Sequence, residues 1–347
     1  MKKSYFIRLT EHTPTEFWIN NPTRKQADLA LQHNATGVTT NPSFTQKMID
    51  HPVEGEYAHK LLDESIKESN EIDEIIAIFQ RKMVKSIAEK FLPIFKKSNG
   101  TKGFVSIQSD PINEHDPDVI IRHGIENIKI SPNICIKIPT TRSGLVAMDY
   151  FISKNIPVNA TEFFAMNQGI ELCENYLKAS KKSGNAPVLF ISHIAGIYDD
   201  HIKNVIESEK IDISPDIQYQ AGLAITRKFY NMHVERNYPG TIVGGGARGL
   251  HHFTEIVGGK ICGTINWEGT ADKLIESDPP VVYRLFNPVE NYVIDELNKK
   301  LVDFKRGWMD DGLAIEEFDD FGPVKLFTSS FIKSWKRVLE IIADKTK

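Results

Sequence analysis

The sequence predicts an α/β fold, a single (β/α)8 TIM barrel with C-terminal helices packed over the barrel. Three observations carry this expectation. Short apolar runs alternate with longer helical patterns, the alternation occurs eight times, and polar residues stand at the C-terminal ends of the runs. A chain of 347 residues, 41% hydrophobic and 25% charged, is ample for one large domain. The expected domain covers 1–347, with a core at about 15–275 and a helical extension at about 280–347. An open doubly wound sheet is the competing arrangement, but no GxGxxG follows an early strand to support it.

In chain order the candidate strands are Phe17–Asn20, Gly37–Asn41, Phe104–Gln108, Ile134–Pro139, Pro157–Ala160, Val188–His193, Thr241–Gly244 and Ile261–Ile265. Helical patterns include Thr23–His33, Glu71–Phe95, Asp116–Asn127, Ser143–Ser153, Glu162–Ser180 and Tyr219–Glu235. Strand residues in a closed barrel alternate between the interior and the surrounding helices. In the first strand Phe17 and Ile19 face the helices, which turns Trp18 and Asn20 inward. The same alternation turns Thr39 and Asn41 inward on the second, Ser106 and Gln108 on the third, and Cys135 and Lys137 on the fourth. On the fifth it turns Asn159 and Thr161 inward, and His193 ends the sixth. Beyond Pro280 the patterns are helical only. Leu326, Phe327, Phe331, Trp335, Val338, Leu339 and Ile342 share one face, which packs back on the barrel or on a second copy.

Composition excludes several classes of function. A net charge of −4 without a basic block argues against a nucleic-acid partner. Cys135, Cys173 and Cys262 lie far apart with no CxxC pair, which argues against disulfide frameworks and zinc sites. No apolar run approaches the ~20 residues of a membrane span. Met1–Arg8 turns charged again before the apolar core of a secretory signal can develop. These features fit a cytoplasmic protein with no membrane partner, no metal and no cofactor.

Lys137 is the residue with the most chemical content. A lone lysine on an apolar strand ordinarily reaches water with its head while its stem lies on apolar surface. Here polar residues from five successive strands converge on it at the barrel's C-terminal mouth, where barrel active sites are built. Desolvation lowers an ammonium pKa, and a neutral lysine attacks carbonyl carbon to form a Schiff base.

Three motifs in order then resemble the transaldolase family. They are Gly37-Val38-Thr39-Thr40-Asn41-Pro42-Ser43, Ile136-Lys137-Ile138-Pro139-Thr140-Thr141 with Gly144-Leu145, and Val158-Asn159-Ala160-Thr161 with Gln168. The resemblance runs from about Phe17 to Ile275. It implies a class I aldolase that moves a three-carbon dihydroxyacetone unit between sugar phosphates, within pentose phosphate carbohydrate metabolism. By position it makes Lys137 the Schiff-base lysine, Asn41 a contact to the dihydroxyacetone unit, and Thr161 a holder of the catalytic water. Thr39, Asn159 and His193 join the candidate substrate contacts. Arg248, in Gly244-Gly245-Gly246-Ala247-Arg248, becomes the phosphate contact. The partner implied is a small sugar or sugar phosphate, and a homodimer is left open.

The chain departs from the family pattern at the positions that handle protons. Asn20 stands where the family carries an aspartate, and Gln108 where transaldolases carry a glutamate. Ile197 falls near a second phosphate-binding arginine, and Gly246 replaces a phosphate-binding serine. An amide cannot accept a proton at neutral pH. Lys137 is therefore expected to lack negative neighbours, and His193, His251 or His252 are the candidate substitutes in proton transfer. For His251 and His252 the competing reading is a solvent-facing helix start, and for Asp110, Asp199 and Asp200 it is helix capping. Asn20→Asp with Gln108→Glu is expected to raise classical transaldolase turnover. A fructose-6-phosphate aldolase-like lyase, whose branch carries glutamine at the position of Gln108 but a tyrosine at that of Phe164, and a catalytically silent sugar-binding homologue remain as alternatives.

Overall fold

The computed structural model describes residues 3–347, and eight parallel strands close into a barrel in chain order. They are β1 Glu16–Asn20, β2 Gly37–Thr39, β3 Phe104–Ile107, β4 Ile134–Pro139, β5 Val158–Phe163, β6 Leu189–His193, β7 Thr241–Gly244 and β8 Ile261–Ile265. Helices cover the outside, so the strands are buried on both faces and read as near-continuous apolar runs. No described helix is long and apolar enough to cross a membrane.

The barrel is filled from the bottom by Trp18, Phe104, Cys135, Phe190, Val243 and Cys262. All three cysteines are buried and free. A polar layer lies above this plug. Asn159 Nδ2 donates to Ser106 Oγ (3.1 Å), and Ser192 Oγ donates to Asn159 Oδ1 (2.7 Å). The register pairs Lys137 with Asn159 on the neighbouring strand. The inward parity expected for Trp18, Ser106, Cys135 and Asn159 is thus what the barrel adopts.

Local chemistry fixes the end of β4. Thr141 caps the helix Arg142–Ser153 by accepting from Gly144 N (3.1 Å). A side chain at Gly144 would put Cβ 1.8 Å from the Pro139 carbonyl oxygen, so the turn after the lysine strand requires glycine there. At β5 the structure corrects the expected boundary. The pattern places Glu162 at a helix start, whereas the strand continues to Phe163 and the helix begins at Met166. The cause is a bulge, with a register shift between Ala160 and Phe163 and Glu162 at φ +55°. A bulge inserts one residue and breaks the two-residue period on which the parity argument rests.

Gln168 holds the bulge closed. Its Oε1 accepts from the backbone N–H groups of Phe164 (2.9 Å) and Ala165 (3.1 Å). Its Nε2 donates to the carbonyls of Thr140 (2.9 Å) and Glu162 (3.1 Å), so all four of its bonding positions are used.

The terminal helix Gly322–Lys345 buries Phe327, Phe331, Trp335, Val338 and Ile342. It packs on the helices Ser43–Ile49, Ile72–Lys97 and Ala195–Glu209, laying the expected apolar stripe over the barrel.

Candidate active site

A cavity of about 160 Å³ opens at the C-terminal mouth of the barrel, beneath the terminal helix. Asn20, Thr39, Asn41, Lys137, Gly246 and Arg248 line it, together with Phe327 and Phe331 from that helix. Six of the ten residues expected in the site from sequence therefore meet around one small volume.

Lys137 is 5% exposed. Its Nζ donates to Gln108 Oε1 (3.1 Å) and lies 5.9 Å from the centre of the Phe331 ring. Burial lowers its pKa from 10.5 to about 8, against the opposing pull of Glu162 and Glu114. About a tenth of the amine is therefore a free nucleophile at pH 7, far more than for an unperturbed lysine.

Those two glutamates correct the expectation that Lys137 lacks negative neighbours. The bulge swings the fully buried Glu162 to the interior side, where its Oε1 accepts from Gln108 Nε2 (2.8 Å). Glu114, half-buried in the loop after β3, accepts from the same nitrogen through Oε2 (3.3 Å). Thr328 of the terminal helix bridges the other side, its Oγ1 lying 2.9 Å from Glu162 Oε2 and 3.3 Å from Glu114 Oε1. Burial raises the pKa of both carboxyls, and for Glu114 the nearby Glu162 raises it further. The sequence signal for Glu162 was a lone acid just past the expected strand Pro157–Ala160, but its parity could not be read through a bulge.

Gln108 is thus positioned by the groups around it. Gln80 Nε2 donates to its backbone carbonyl (2.8 Å), its oxygen faces the amine, and its NH₂ faces two carboxyls. A carboxylate in its place would set a third acid against Glu162 and Glu114. Gln108→Glu is expected to lower stability at pH 7 by roughly 1–3 kcal/mol, the scale of a lost buried hydrogen bond. Urea unfolding of the single variant checks this, and the result bears on the Asn20→Asp, Gln108→Glu pair, whose expected gain the structure does not favour.

Asn20 is bonded on both sides. Its Nδ2 donates to Asn266 Oδ1 (3.0 Å), and its Oδ1 accepts from Thr39 Oγ1 (2.8 Å). Asn41 Oδ1 accepts from Asn21 Nδ2 (2.9 Å) and Ser43 N (3.1 Å). Among the described residues no acceptor takes Asn41 Nδ2, which leaves that group to donate to a molecule in the cavity. Gln108 and Asn159 sit behind and below the cavity wall rather than on it. Thr161 lies off the wall as well, and its buried Oγ1 has no hydrogen-bond partner among the described residues.

His193 is a correction. It is fully buried but points away from the cavity, with Nδ1 against Thr226 Oγ1 (2.9 Å) and its ring against Phe163. The inward residue at this end of β6 is Ser192, so strand alternation places His193 among the helices. Burial holds its pKa down to about 3, so the ring stays neutral.

His252 is buried too, contrary to a solvent-facing helix start. Its Nε2 lies 2.9 Å from Asp199 Oδ2, and its Nδ1 accepts from Arg248 N (3.4 Å). With His251 these groups bring donor atoms within 4.8 Å of one another, but both His252 nitrogens are already engaged in bracing the Arg248 loop. Asp199 also accepts from Gly222 N (2.8 Å). Arg248 Nε pairs with Asp200 (2.5 Å), and its Nη1 donates to the Gly246 carbonyl (3.2 Å). Gly246 adopts φ +70°, and an added Cβ would lie 2.5 Å from Ile194 Cγ2. That conformation and that contact both favour glycine over the serine of the family pattern.

The model of the Transaldolase/Fructose-6-phosphate aldolase family matches residues 17–313. The chain belongs to this family. It is 30% identical over 210 residues to transaldolases of Mycobacterium bovis and Mycobacterium tuberculosis, covering 58% of this chain and 56% of theirs. It is 28% identical over 236 residues to transaldolase 1 of Streptomyces avermitilis, covering 63% and 61%. The aligned region thus spans little more than half the length of these relatives.

Proposed function

We propose that this chain is a transaldolase-type transferase that forms a Schiff base through Lys137 and passes a dihydroxyacetone unit between sugar phosphates. The observation that carries this reading is the amine itself: a buried lysine with lowered pKa on the wall of a small cavity, bonded to a neutral amide. Its attack on a keto carbon, with loss of water, gives an iminium. Loss of the C4 hydroxyl proton then breaks the C3–C4 bond, between the carbons α and β to the imine, which releases an aldehyde and sends the bonding pair into an enamine that later attacks the acceptor aldehyde. The imine serves as its own electron sink.

Asn41 Nδ2 is the donor on hand for the sugar hydroxyls. Among the described residues Arg248 is the one cation besides Lys137 on the cavity wall, so the site suits a substrate with one phosphate near β7. Assays with fructose 6-phosphate, with and without an acceptor aldehyde, test the transfer. Aldehyde release that requires the acceptor supports a transferase. Equal release without it points to the lyase reading, which Gln108 favours by its resemblance to that branch.

A further inference from the structure

We propose that Glu162 and Glu114 form a proton-sharing carboxyl pair that serves the Lys137 imine, in place of the acids absent at Asn20 and Gln108. This rests on the Schiff-base reading above. Both carboxyls bond the same Gln108 NH₂ and face the same Thr328 hydroxyl, and Gln108 in turn bonds the reactive amine. Two acids sharing one enclosed site cannot both ionise freely, so the pair keeps a proton near neutral pH.

The charged groups that face it are Lys137 from β4, Asp110 from the loop after β3, and Asp319 ahead of the terminal helix. Two acidic side chains besides the pair thus stand nearby, so that one amine faces four carboxyls in all, which favours retention of the shared proton. Glu162 is the inner member. Glu114 is half-buried and borders an outer cleft of about 240 Å³ lined by His115, Thr141 and Thr328. The pair therefore spans the distance from bulk water to the interior side of Gln108. Backbone geometry agrees, because Glu162 adopts a left-handed conformation that is strained for a non-glycine residue. Gln168 holds that conformation in place.

The proton step balances within the protein and water. When the iminium of dihydroxyacetone loses a C–H proton next to C=N, the C–H pair becomes a C=C bond and the C=N π pair returns to nitrogen. The proton passes through an intervening water to whichever carboxyl of the pair is ionised. Return of a proton to carbon reverses each change, and no oxidant or reductant is involved.

The test separates imine formation from proton transfer. The full chain, Glu162→Gln and Glu114→Gln are each incubated with dihydroxyacetone in D₂O. Borohydride capture on Lys137 is read by mass spectrometry, and deuterium uptake at the hydroxymethyl carbons by NMR. The unmodified protein is expected to show both capture and uptake. Glu162→Gln is expected to keep most of the capture while uptake falls by at least about tenfold, in line with loss of a general acid–base. Glu114→Gln, a second route if the first variant does not fold, is expected to show the same split. Unchanged uptake in both variants would overturn the pair. So would equal loss of capture and uptake in folded variants, or capture without uptake in the unmodified protein. Absence of capture in the unmodified protein would instead sink the Schiff-base reading itself.

Discussion

Replacing Lys137 with methionine is expected to abolish covalent capture of keto-sugars and to lower turnover about 10⁴-fold or more, the scale on which removal of a covalent nucleophile acts. Methionine keeps the length and apolar stem, so the cavity stays filled and the barrel folded. The same amine sets the pH dependence. Burial pushes its pKa down to about 8, so the ammonium form prevails below that value and the nucleophile above it. The initial rate of imine capture should therefore rise with pH, about tenfold per unit well below pH 8, and level off above. An ordinary surface lysine would keep rising to beyond pH 10, because nothing lowers its pKa from the usual value.

Trp335→Ala is expected to cause the largest loss of stability, about 3–5 kcal/mol in urea unfolding, the usual cost of deleting a buried aromatic. Trp335 is 1% exposed and belongs to the continuous apolar core between the barrel and its helices. The effect should extend to the site, since the same helix carries Phe331 against Lys137 and Thr328 against Glu162. A loosened helix lets water reach the amine, and the capture profile should shift toward higher pH. A variant as stable as the original, with an unmoved profile, would show that the terminal helix is not a working part of the site.

The barrel was legible in the sequence because its strands are short, apolar and bounded by turn residues, and their two-residue period survives everywhere but β5. Parity alone set Asn20, Gln108 and Lys137 inward, and each is there. It failed at Glu162, where one bulged residue moved an acid from an expected helix start to the interior. His193 misled for a related reason: a residue at a strand end attracts functional meaning, but its neighbour Ser192 had the inward phase. Glu114 and Thr328 left no trace, because a loop and a distant helix meet Glu162 only through tertiary packing. The absence of acids at positions 20 and 108 was visible. Acids brought in from elsewhere in the chain were not.

Mass spectrometry after borohydride reduction in the presence of dihydroxyacetone or fructose 6-phosphate tests the Lys137 assignment most directly. The expected result is one stable adduct on the peptide that contains Lys137, absent from Lys137→Met. No adduct from the folded protein with either sugar, or an adduct on another lysine that persists in Lys137→Met, would contradict it.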